Sequence, residues 1–348
     1  MESKHFSKAA LLTALLVIVF VIGWEWRLRS QGMPISYDEG APLWSDKRAM
    51  VYLPSDQATA FIGSSRIKFD LDIPTWERLT GQKAIQLAIE GECPLPILDD
   101  LAADEKFKGK LIVDVTEGLF FTSDPHNLNT PKKHISFFKK QTPSEKLSFQ
   151  INHFLESQFV FLDKDYFSLN AFMSHRQVAN RKGVFAMPHD FPIEFSRKNF
   201  DRQSWMDDKF VRDTVLKKQV TDLWLFFDSV NEEQPPTGAK LDSLLSVITS
   251  DVQKIKARGG EVLFVRTPSS GYYWPSEQKS FPREKYWDKL LHVTGAPGIH
   301  FNDYPEINHF ECPEWSHLSK PQAVIFTEHL VDILEKDKKW KFIAKTAN

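Results

Sequence analysis

Residues 58–66 read Ala-Thr-Ala-Phe-Ile-Gly-Ser-Ser-Arg, and this stretch is the clearest indication of the fold. Its apolar first half predicts a buried strand over 59–62, and Gly63 marks a turn before a helical pattern begins. In an open α/β sheet, reactive groups lie just beyond the carboxyl ends of the strands. The stretch therefore predicts one strand of such a sheet, and it places Ser65 at the reactive edge.

The same pattern recurs along the chain. Further strands are predicted at 84–89, 110–115, 261–265 and 299–302, and helices at 95–107, 241–258 and 321–336. This alternation predicts an α/β fold with a doubly wound parallel sheet flanked by helices. Residues 123–240 break the pattern with aromatic-rich sequence, and we interpret them as an inserted, mostly helical cap.

Composition excludes several classes of protein. The chain has 348 residues, of which 42% are hydrophobic and 26% charged, so it can bury a full α/β core. Its formal net charge of -2 provides no overall positive field, so no nucleic-acid partner is expected. The histidines are scattered, without metal-ligand spacing such as His-Glu-x-x-His. No metal and no cofactor are therefore predicted.

Residues 9–24 form an apolar run without a charged residue. As a helix this run is about 24 Å long, and the flanking cations and tryptophans can extend it across a bilayer core of about 30 Å. We predict a retained transmembrane anchor over 9–26, because no small-x-small cleavage site follows the run. A cleaved signal peptide is the alternative.

The segments around the anchor set the expected location. The short stub of residues 1–8 favours a cytoplasmic N terminus in the cell inner membrane and a periplasmic catalytic domain, although charge leaves the orientation open, because lysines before the run are matched by arginines after it. Glycines and prolines predict an extended juxtamembrane linker over 27–55. The catalytic domain is predicted over 56–340, with the insertion at 123–240.

The motifs at the predicted strand ends resemble those of the SGNH (GDSL-like) hydrolase superfamily, over 56–125 and 241–336. Gly63-Ser64-Ser65 stands where the family has Gly-Asp-Ser, and Glu314-Trp-Ser-His317 stands where it has Asp-x-x-His. The resemblance implies an SGNH-like three-layer fold. A serine needs a histidine to remove its proton and an acid to orient that histidine. We therefore predict Ser65 as nucleophile, His317 as base and Glu314 as acid.

The oxyanion hole is the less complete part of the resemblance. Gly91 matches the glycine of the second block, so the backbone N–H groups of Ser65 and Gly91 are the implied donors. The third block, Gly-x-Asn-Asp, is absent, and Thr116-Glu-Gly118 stands in its place. Losing one donor costs on the order of 3 kcal/mol, so we predict Thr116 as a replacement.

Several alternatives remain open for the catalytic residues. Ser64 or Ser65 could simply cap the following helix, and Ser64 could be the nucleophile if the register is shifted by one. His317 could be a surface histidine before a helix, and Asp303 could replace Glu314 as the acid. A second Glu-x-x-His, formed by residues 306 and 309, does not lead directly into the last helix.

Substrate-binding residues are predicted beside the nucleophile and after the fourth predicted strand. They are Arg66, Arg266, Tyr273 and Trp274, and simple loop packing is an equally good interpretation of the last three. A basic run could face anionic glycans or lipid headgroups, or it could be a solvated face. It comprises Lys132, Lys133, Lys139, Lys140 and Lys146.

An anchor joined to such a domain resembles envelope proteins that work with membrane-bound O-acyltransferases. The resemblance implies acyl transfer, most simply of acetyl, to hydroxyls of a cell-surface polysaccharide through an acyl-Ser65 intermediate. The membrane-bound O-acyltransferase would be the acyl donor and the polysaccharide the acceptor. The alternatives are a carbohydrate O-acetyl esterase and an inactive, membrane-tethered glycan-binding or scaffold subunit.

The chain has two cysteines, Cys93 and Cys312. Cys93 follows Gly91 closely and Cys312 precedes His317 closely, so the expected fold brings both to one edge of the sheet. An oxidising compartment would permit a disulfide between them, which we predict. The alternative is two independent buried thiols.

Overall fold

The computed structural model describes residues 2–174 and 187–342. These residues form two compact units. The α/β unit comprises residues 39–141 and 187–342, and the N-terminal unit comprises residues 2–38 and 142–174.

The α/β unit is built on a five-stranded parallel sheet. Its strands, numbered in chain order, are β1 Ala58–Ile62, β2 Lys83–Gln86, β3 Lys110–Asp114, β6 Glu261–Arg266 and β7 Gly298–His300, and a small antiparallel pair is formed by β4 Arg197–Lys198 and β5 Ser204–Trp205. The order of the strands in the parallel sheet is β2-β1-β3-β6-β7. The chain leaves β1 to one side for β2 and returns to the other side for β3. The switch point of the sheet therefore lies between β1 and β3.

Helices flank this sheet, as the sequence predicts. The helices of the α/β unit are Ala41–Ala49, Ser65–Asp70, Ile73–Thr80, Leu95–Ala103, Glu117–Phe120, Pro125–Lys140, Asp208–Arg212, Thr214–Val230, Gly238–Ala257, Tyr273–Ser280, Trp287–Thr294 and Lys320–Lys336, with 3-10 turns at Met50–Tyr52 and Phe301–Asp303. The predicted class, an α/β fold with a parallel sheet flanked by helices, is confirmed. All predicted strands and helices are present, with ends displaced by up to four residues.

Both faces of the sheet are buried, which explains why β1 reads as a continuous apolar run. Ala60 and Ile62 of β1 pack into a core with Leu98 and Ile248 from two helices on one face. Phe61 points to the other face, where it packs with Trp76 at a ring distance of 4.9 Å. The turn after β1 is therefore fixed from both sides.

The predicted linker is partly wrong, because Ala41–Ala49 is a helix of the α/β unit. Gly40 precedes this helix, and Pro42 occupies its first turn, where a missing N–H costs nothing. Trp44 is fully buried in the core and its indole N–H donates to the Leu87 carbonyl at 3.0 Å. Proline here begins a helix that tertiary packing stabilises.

The predicted cap over 123–240 is divided between the two units. Residues 123–141 and 187–240 belong to the α/β unit, whereas 142–174 belong to the N-terminal unit. Both portions contain several helices. A cap over the strand ends stays a prediction.

The N-terminal unit contains helix Glu2–Ser30. Its segment His5–Ser30 is long and apolar enough to cross a membrane, by length and composition. The remaining helices of this unit are Pro143–Glu156, Lys164–Phe167 and Leu169–Ser174, with a 3-10 turn at Val160–Leu162.

Candidate active site

Ser65 is the first residue of the helix Ser65–Asp70, directly beyond the carboxyl end of β1. The turn between them requires glycine, because a Cβ on Gly63 would lie 2.6 Å from Cβ of Asp114 and 2.8 Å from Cγ2 of Ile67. Ser65 thus sits beside the switch point of the sheet, where ligands of open α/β folds bind.

Ser65, His317 and Glu314 form a continuous hydrogen-bonded chain. Ser65 Oγ lies 2.7 Å from His317 Nε2, and His317 Nδ1 lies 3.0 Å from Glu314 Oε1. With Nδ1 protonated and donating to the carboxylate, Nε2 is free to accept the serine proton. This is the geometry of a serine nucleophile, its base and an orienting acid, over 252 positions of sequence.

Glu314 is fully buried and receives three hydrogen bonds. The His317 backbone N–H donates to Oε1 at 2.7 Å, in addition to the imidazole, and the Trp224 indole N–H donates to Oε2 at 2.6 Å. A buried carboxylate needs such donors because it has lost its water. Trp224 was not predicted from the sequence, since no local pattern in the helix Thr214–Val230 indicates that its tryptophan contacts Glu314.

The imidazole of His317 is held by aromatic packing. Its ring lies 4.5 Å from Phe69, 5.8 Å from Phe195 and 6.2 Å from Trp224, measured between ring centroids. His317 is itself buried. The surface-histidine interpretation is therefore wrong.

Asp70 joins the helix that begins at Ser65 to the loop that carries His317. Its Oδ1 accepts from the Leu318 backbone N–H at 2.9 Å, although the two residues are 248 positions apart. The carboxyl is fully buried, and burial raises the pKa of Asp70 well above its usual range. Asp70 was not predicted from the sequence, because only the tertiary structure brings it to the histidine.

The loop after β6 holds the loop that carries the acid and the base. The Ser270 backbone N–H donates to the Trp315 carbonyl at 2.9 Å, and Ser270 Oγ accepts from the Cys312 N–H at 2.9 Å. Gly271 has φ +53°, and a Cβ there would lie 2.2 Å from Cδ1 of Trp315. Glycine is therefore required at this position to seat the loop.

The predicted oxyanion residues lie on three neighbouring loops. Ser65 follows β1, and Gly91 stands at φ +70° in the loop after β2, which is tied to the serine turn by the Ile89 N–H donating to the Gly63 carbonyl at 3.3 Å. Thr116 follows β3, and its hydroxyl donates to Asp114 Oδ2 at 3.0 Å. The hydroxyl hydrogen of Thr116 is thus directed at Asp114, while its role as a third donor stays a prediction.

Asp114 lies at the switch point, between the turn of Gly63 and the loop after β6. Its Oδ1 accepts from the Thr267 hydroxyl at 3.1 Å, and the carboxyl is fully buried. Burial raises the pKa of Asp114 to about 6, against opposing contributions from Arg66 and the two threonine hydroxyls.

The two arginines predicted to bind substrate are buried and engaged in ion pairs. Arg266 donates to both carboxylate oxygens of Glu117, at 3.0 and 3.2 Å, and pairs with Glu277. Arg66 also pairs with Glu277, and its Nε donates to Ser316 Oγ at 3.2 Å. Although burial opposes ionisation, the two arginines lower the pKa of Glu277 to about 2.

The predicted aromatic residues separate into two places. Tyr273 is half-buried, with its ring 6.3 Å from Trp224 and thus one residue removed from Glu314. Trp274 turns away and packs on Phe301 at a ring distance of 4.8 Å. Of the two predicted aromatic residues, Tyr273 is therefore the one that contacts a neighbour of Glu314.

The alternative acid, histidine and serine do not contact the imidazole of His317. Asp303 is bound by Arg283 at 2.5 and 2.8 Å, and His309 is exposed with Nδ1 on the Pro305 carbonyl at 3.0 Å. Ser64 precedes the helix, but its side chain makes no capping hydrogen bond. The carboxylate on His317 is Glu314, and the hydroxyl on His317 is that of Ser65.

The predicted disulfide is wrong, because Cys93 and Cys312 are both free and buried. Cys93 Sγ lies 3.9 Å from the carbonyl of Phe120, which packs on one face of the sheet, whereas Cys312 belongs to the core on the other face. The two loops share an edge, but their side chains point to opposite faces. Burial raises the pKa of both thiols, that of Cys93 to about 12.

Two further predictions of the sequence concern metal binding and the basic run. Within residues 2–174 and 187–342, no three His, Cys, Asp or Glu side chains are grouped to hold a metal ion. Four lysines of the basic run lie on or at the end of helix Pro125–Lys140, where Lys139 pairs with Asp100 at 2.7 Å, and Lys146 lies in helix Pro143–Glu156.

No family model matches the chain in a scan of protein families, and a search of curated proteins finds no significant match.

Proposed function

We propose that the protein is a serine-dependent acyltransferase whose nucleophile is Ser65. One observation carries the proposal: Ser65 Oγ is 2.7 Å from His317 Nε2, and the far side of the same imidazole is 3.0 Å from buried Glu314. This is the arrangement that activates a serine towards an acyl carbonyl. It lies at the switch point of a parallel sheet, where the fold class favours ligand binding.

The proposed reaction has two steps. Ser65 Oγ attacks the acyl carbonyl while His317 takes its proton, and the tetrahedral intermediate expels the donor alkoxide, which leaves as the alcohol after taking that proton from His317. An acceptor hydroxyl then gives its proton to His317 as its oxygen attacks the acyl-Ser65 ester, and the Ser65 alkoxide leaves and takes that proton back. The backbone N–H groups of Ser65 and Gly91 would bind the oxyanion of each intermediate.

The membrane and the resemblance together suggest the substrates. The helix His5–Ser30 is suited to anchor the domain, which we place in the periplasm, beside the cell inner membrane. An anchored domain of this kind resembles those that receive acyl groups from a membrane-bound O-acyltransferase. We therefore propose acetyl transfer to hydroxyls of a cell-surface polysaccharide.

Two other functions compete with this one. A carbohydrate O-acetyl esterase would use the same three residues, with water as the acceptor. A scaffold subunit without activity would have no need of Trp224 and Phe69 to orient the acid and the base. While the Thr116 hydroxyl donates to Asp114 it cannot donate to the oxyanion, which lowers the rate expected of either enzyme.

The test is incubation of the purified full chain in detergent with an activated acetyl ester. Transfer to an added oligosaccharide, with an acetyl group trapped on Ser65 by mass spectrometry, supports the transferase. Ester hydrolysis without transfer supports the esterase. Absence of acylation in the wild-type chain contradicts both and favours the scaffold.

A further inference from the structure

The outward face of helix Pro143–Glu156 is apolar. Leu147, Ile151 and Phe154 are 58%, 53% and 64% exposed, and Leu155 is 38% exposed. At about 100° per residue, these four side chains form one stripe roughly 100° wide. A stripe of this width is what an amphipathic helix normally turns towards a core.

The opposite face of the same helix packs inward and is the more polar one. His153 stacks on Tyr37 at a ring distance of 5.6 Å and approaches Phe149 at 6.2 Å. Glu156 is buried and pairs with Lys164 at 3.2 Å. The helix thus buries one carboxylate, that of Glu156, while it turns an apolar stripe outward, which is unusual for a helix that faces only water.

The short helix Leu169–Ser174 repeats this arrangement. Leu169, Phe172 and Met173 are 75%, 59% and 58% exposed, and their spacing places them on one face. Ala171, which lies between them, is buried. Two helices of the N-terminal unit therefore expose apolar faces, which in a protein surrounded by water would be a liability.

The same segment is attached to one end of the candidate membrane span. The Glu25 carboxylate accepts the backbone N–H groups of Val160 at 3.0 Å and Phe161 at 3.1 Å. Arg29 donates to the carbonyl of Gln158 at 2.7 Å, and the ring of Trp24 lies 6.4 Å from that of Phe167.

These attachment points have a defined depth in a bilayer. They lie at or just beyond the end of the uncharged run 9–24, where tryptophan and arginine mark the boundary between lipid and water. The segment 143–174 is therefore attached at the level of the membrane surface.

We propose that residues 143–174 form an interfacial membrane module, whose exposed apolar stripes insert between lipid headgroups. The occupant of these stripes is lipid, because hydrogen bonds attach the module to a membrane-suited helix at the depth where amphipathic helices lie. The proposal rests on the membrane anchoring in the proposed function, and not on its acyl-transfer chemistry.

The test uses the full chain reconstituted into vesicles of phosphatidylethanolamine and phosphatidylglycerol. Ile151→Cys and Phe154→Cys are labelled with an environment-sensitive fluorophore, and the bilayer carries lipids with a quencher near the headgroup or, in a parallel sample for position 15, at the end of the acyl chain. Asn152→Cys is the matched control, exposed but outside the apolar stripe of the same helix, and Leu15→Cys reports whether the anchor is in the bilayer. The two native cysteines are buried and give the background of the unsubstituted chain.

We expect labels at 151 and 154 to shift to the blue and to lose several-fold more emission to the lipid quencher than the label at 152. Equal, weak quenching at 151, 154 and 152 with strong quenching at 15 would overturn the module while leaving the anchor intact. Weak quenching at all four positions would overturn the module and the anchor together, yet the acylation assay in detergent would be unaffected. Shielding of 151 and 154 only when a second membrane protein is present would identify a protein as the occupant, and would also overturn the proposal.

Discussion

At the scale of single residues, the site is defined by which atoms the imidazole of His317 joins. Its Nε2 meets Ser65 Oγ and its Nδ1 meets Glu314, so the three residues should act as a unit. Replacing Ser65 separates catalysis from folding, because Ser65 is not part of the hydrophobic cores.

Ser65→Ala and His317→Ala are each expected to reduce acetyl-ester turnover by several orders of magnitude, because neither member of such a unit works alone. Ser64→Ala is the matched control and should keep near-normal turnover, since its hydroxyl does not contact His317. Steady-state kinetics and thermal unfolding of the three variants provide the measurement. Loss of activity in Ser64→Ala with retention in Ser65→Ala would shift the nucleophile by one position.

Glu314→Gln should lower turnover by roughly 10⁴-fold and still leave detectable acylation of Ser65, because the orienting acid contributes less than the nucleophile or base. Asp303→Asn should leave turnover within a few-fold of normal, since Arg283 rather than His317 holds that carboxylate. Acetyl-ester kinetics of the two variants decide between the acids. A silent Glu314→Gln would remove Glu314 from the mechanism.

Asp114 makes a pH-dependent contribution to stability. Its pKa is about 6 in the folded chain and about 4 when unfolded, so the folded state binds the proton more tightly. The stabilisation is complete below about pH 4 and is lost as the pH rises through 6, by on the order of 3 kcal/mol. Asp114→Asn should therefore lose less unfolding free energy than the wild type between about pH 4 and pH 7, in urea titrations at each pH. Parallel pH curves for the two proteins would contradict the raised pKa.

At the scale of elements, Glu314 is held by a helix whose contact with it was not predicted from the sequence. The helix Thr214–Val230 supplies Trp224, whose indole N–H is the donor to Glu314 Oε2. The sequence predicts this helix only as part of the mostly helical insertion 123–240. Local patterns do not predict its contact with Glu314, because 90 positions separate the two partners.

Trp224→Phe should lower the free energy of unfolding by about 1.5–3 kcal/mol, because a buried carboxylate loses a donor while most of the ring volume remains. Turnover should fall as well, though less than in Glu314→Gln, since His317 still holds Oε1. Trp205→Phe, in strand β5, is the matched control and should leave turnover near normal. Equal turnover in Trp224→Phe and wild type would show that Oε2 needs no donor.

The same distinction explains which elements the sequence predicted. The strands around β1 and the helix Lys320–Lys336 follow from periodicity and from caps such as Ser319 with Gln322. The helix Ala41–Ala49 was missed because proline and glycine suggested a linker, whereas burial of Trp44 in the core favours a helix. Elements encoded locally were predicted, and those that depend on distant packing were not.

At the scale of the whole chain, sequence order predicted the edge of the sheet but not the face. Strand ends in a parallel sheet share an edge, so Ser65, Gly91 and Thr116 were correctly expected on neighbouring loops. Which face a side chain takes depends on the path of each loop, which no local pattern specifies. Trp224 and Asp70 at the site, and the two cysteines, all depend on that path.

The two cysteines are expected to remain reduced. Cys93 and Cys312 are buried on opposite faces of the sheet, so they should remain free thiols even in an oxidising compartment. Their raised pKa values favour the unreactive thiol form at neutral pH, because the thiolate is the species that reacts. A thiol reagent should therefore label neither cysteine in the native chain and both after unfolding in denaturant. A reducing agent should not change the temperature of unfolding, because there is no bond to break. Two cysteines that stay unlabelled after unfolding, but become labelled when reductant is added, would show a disulfide and would require a different path for the loop that carries His317.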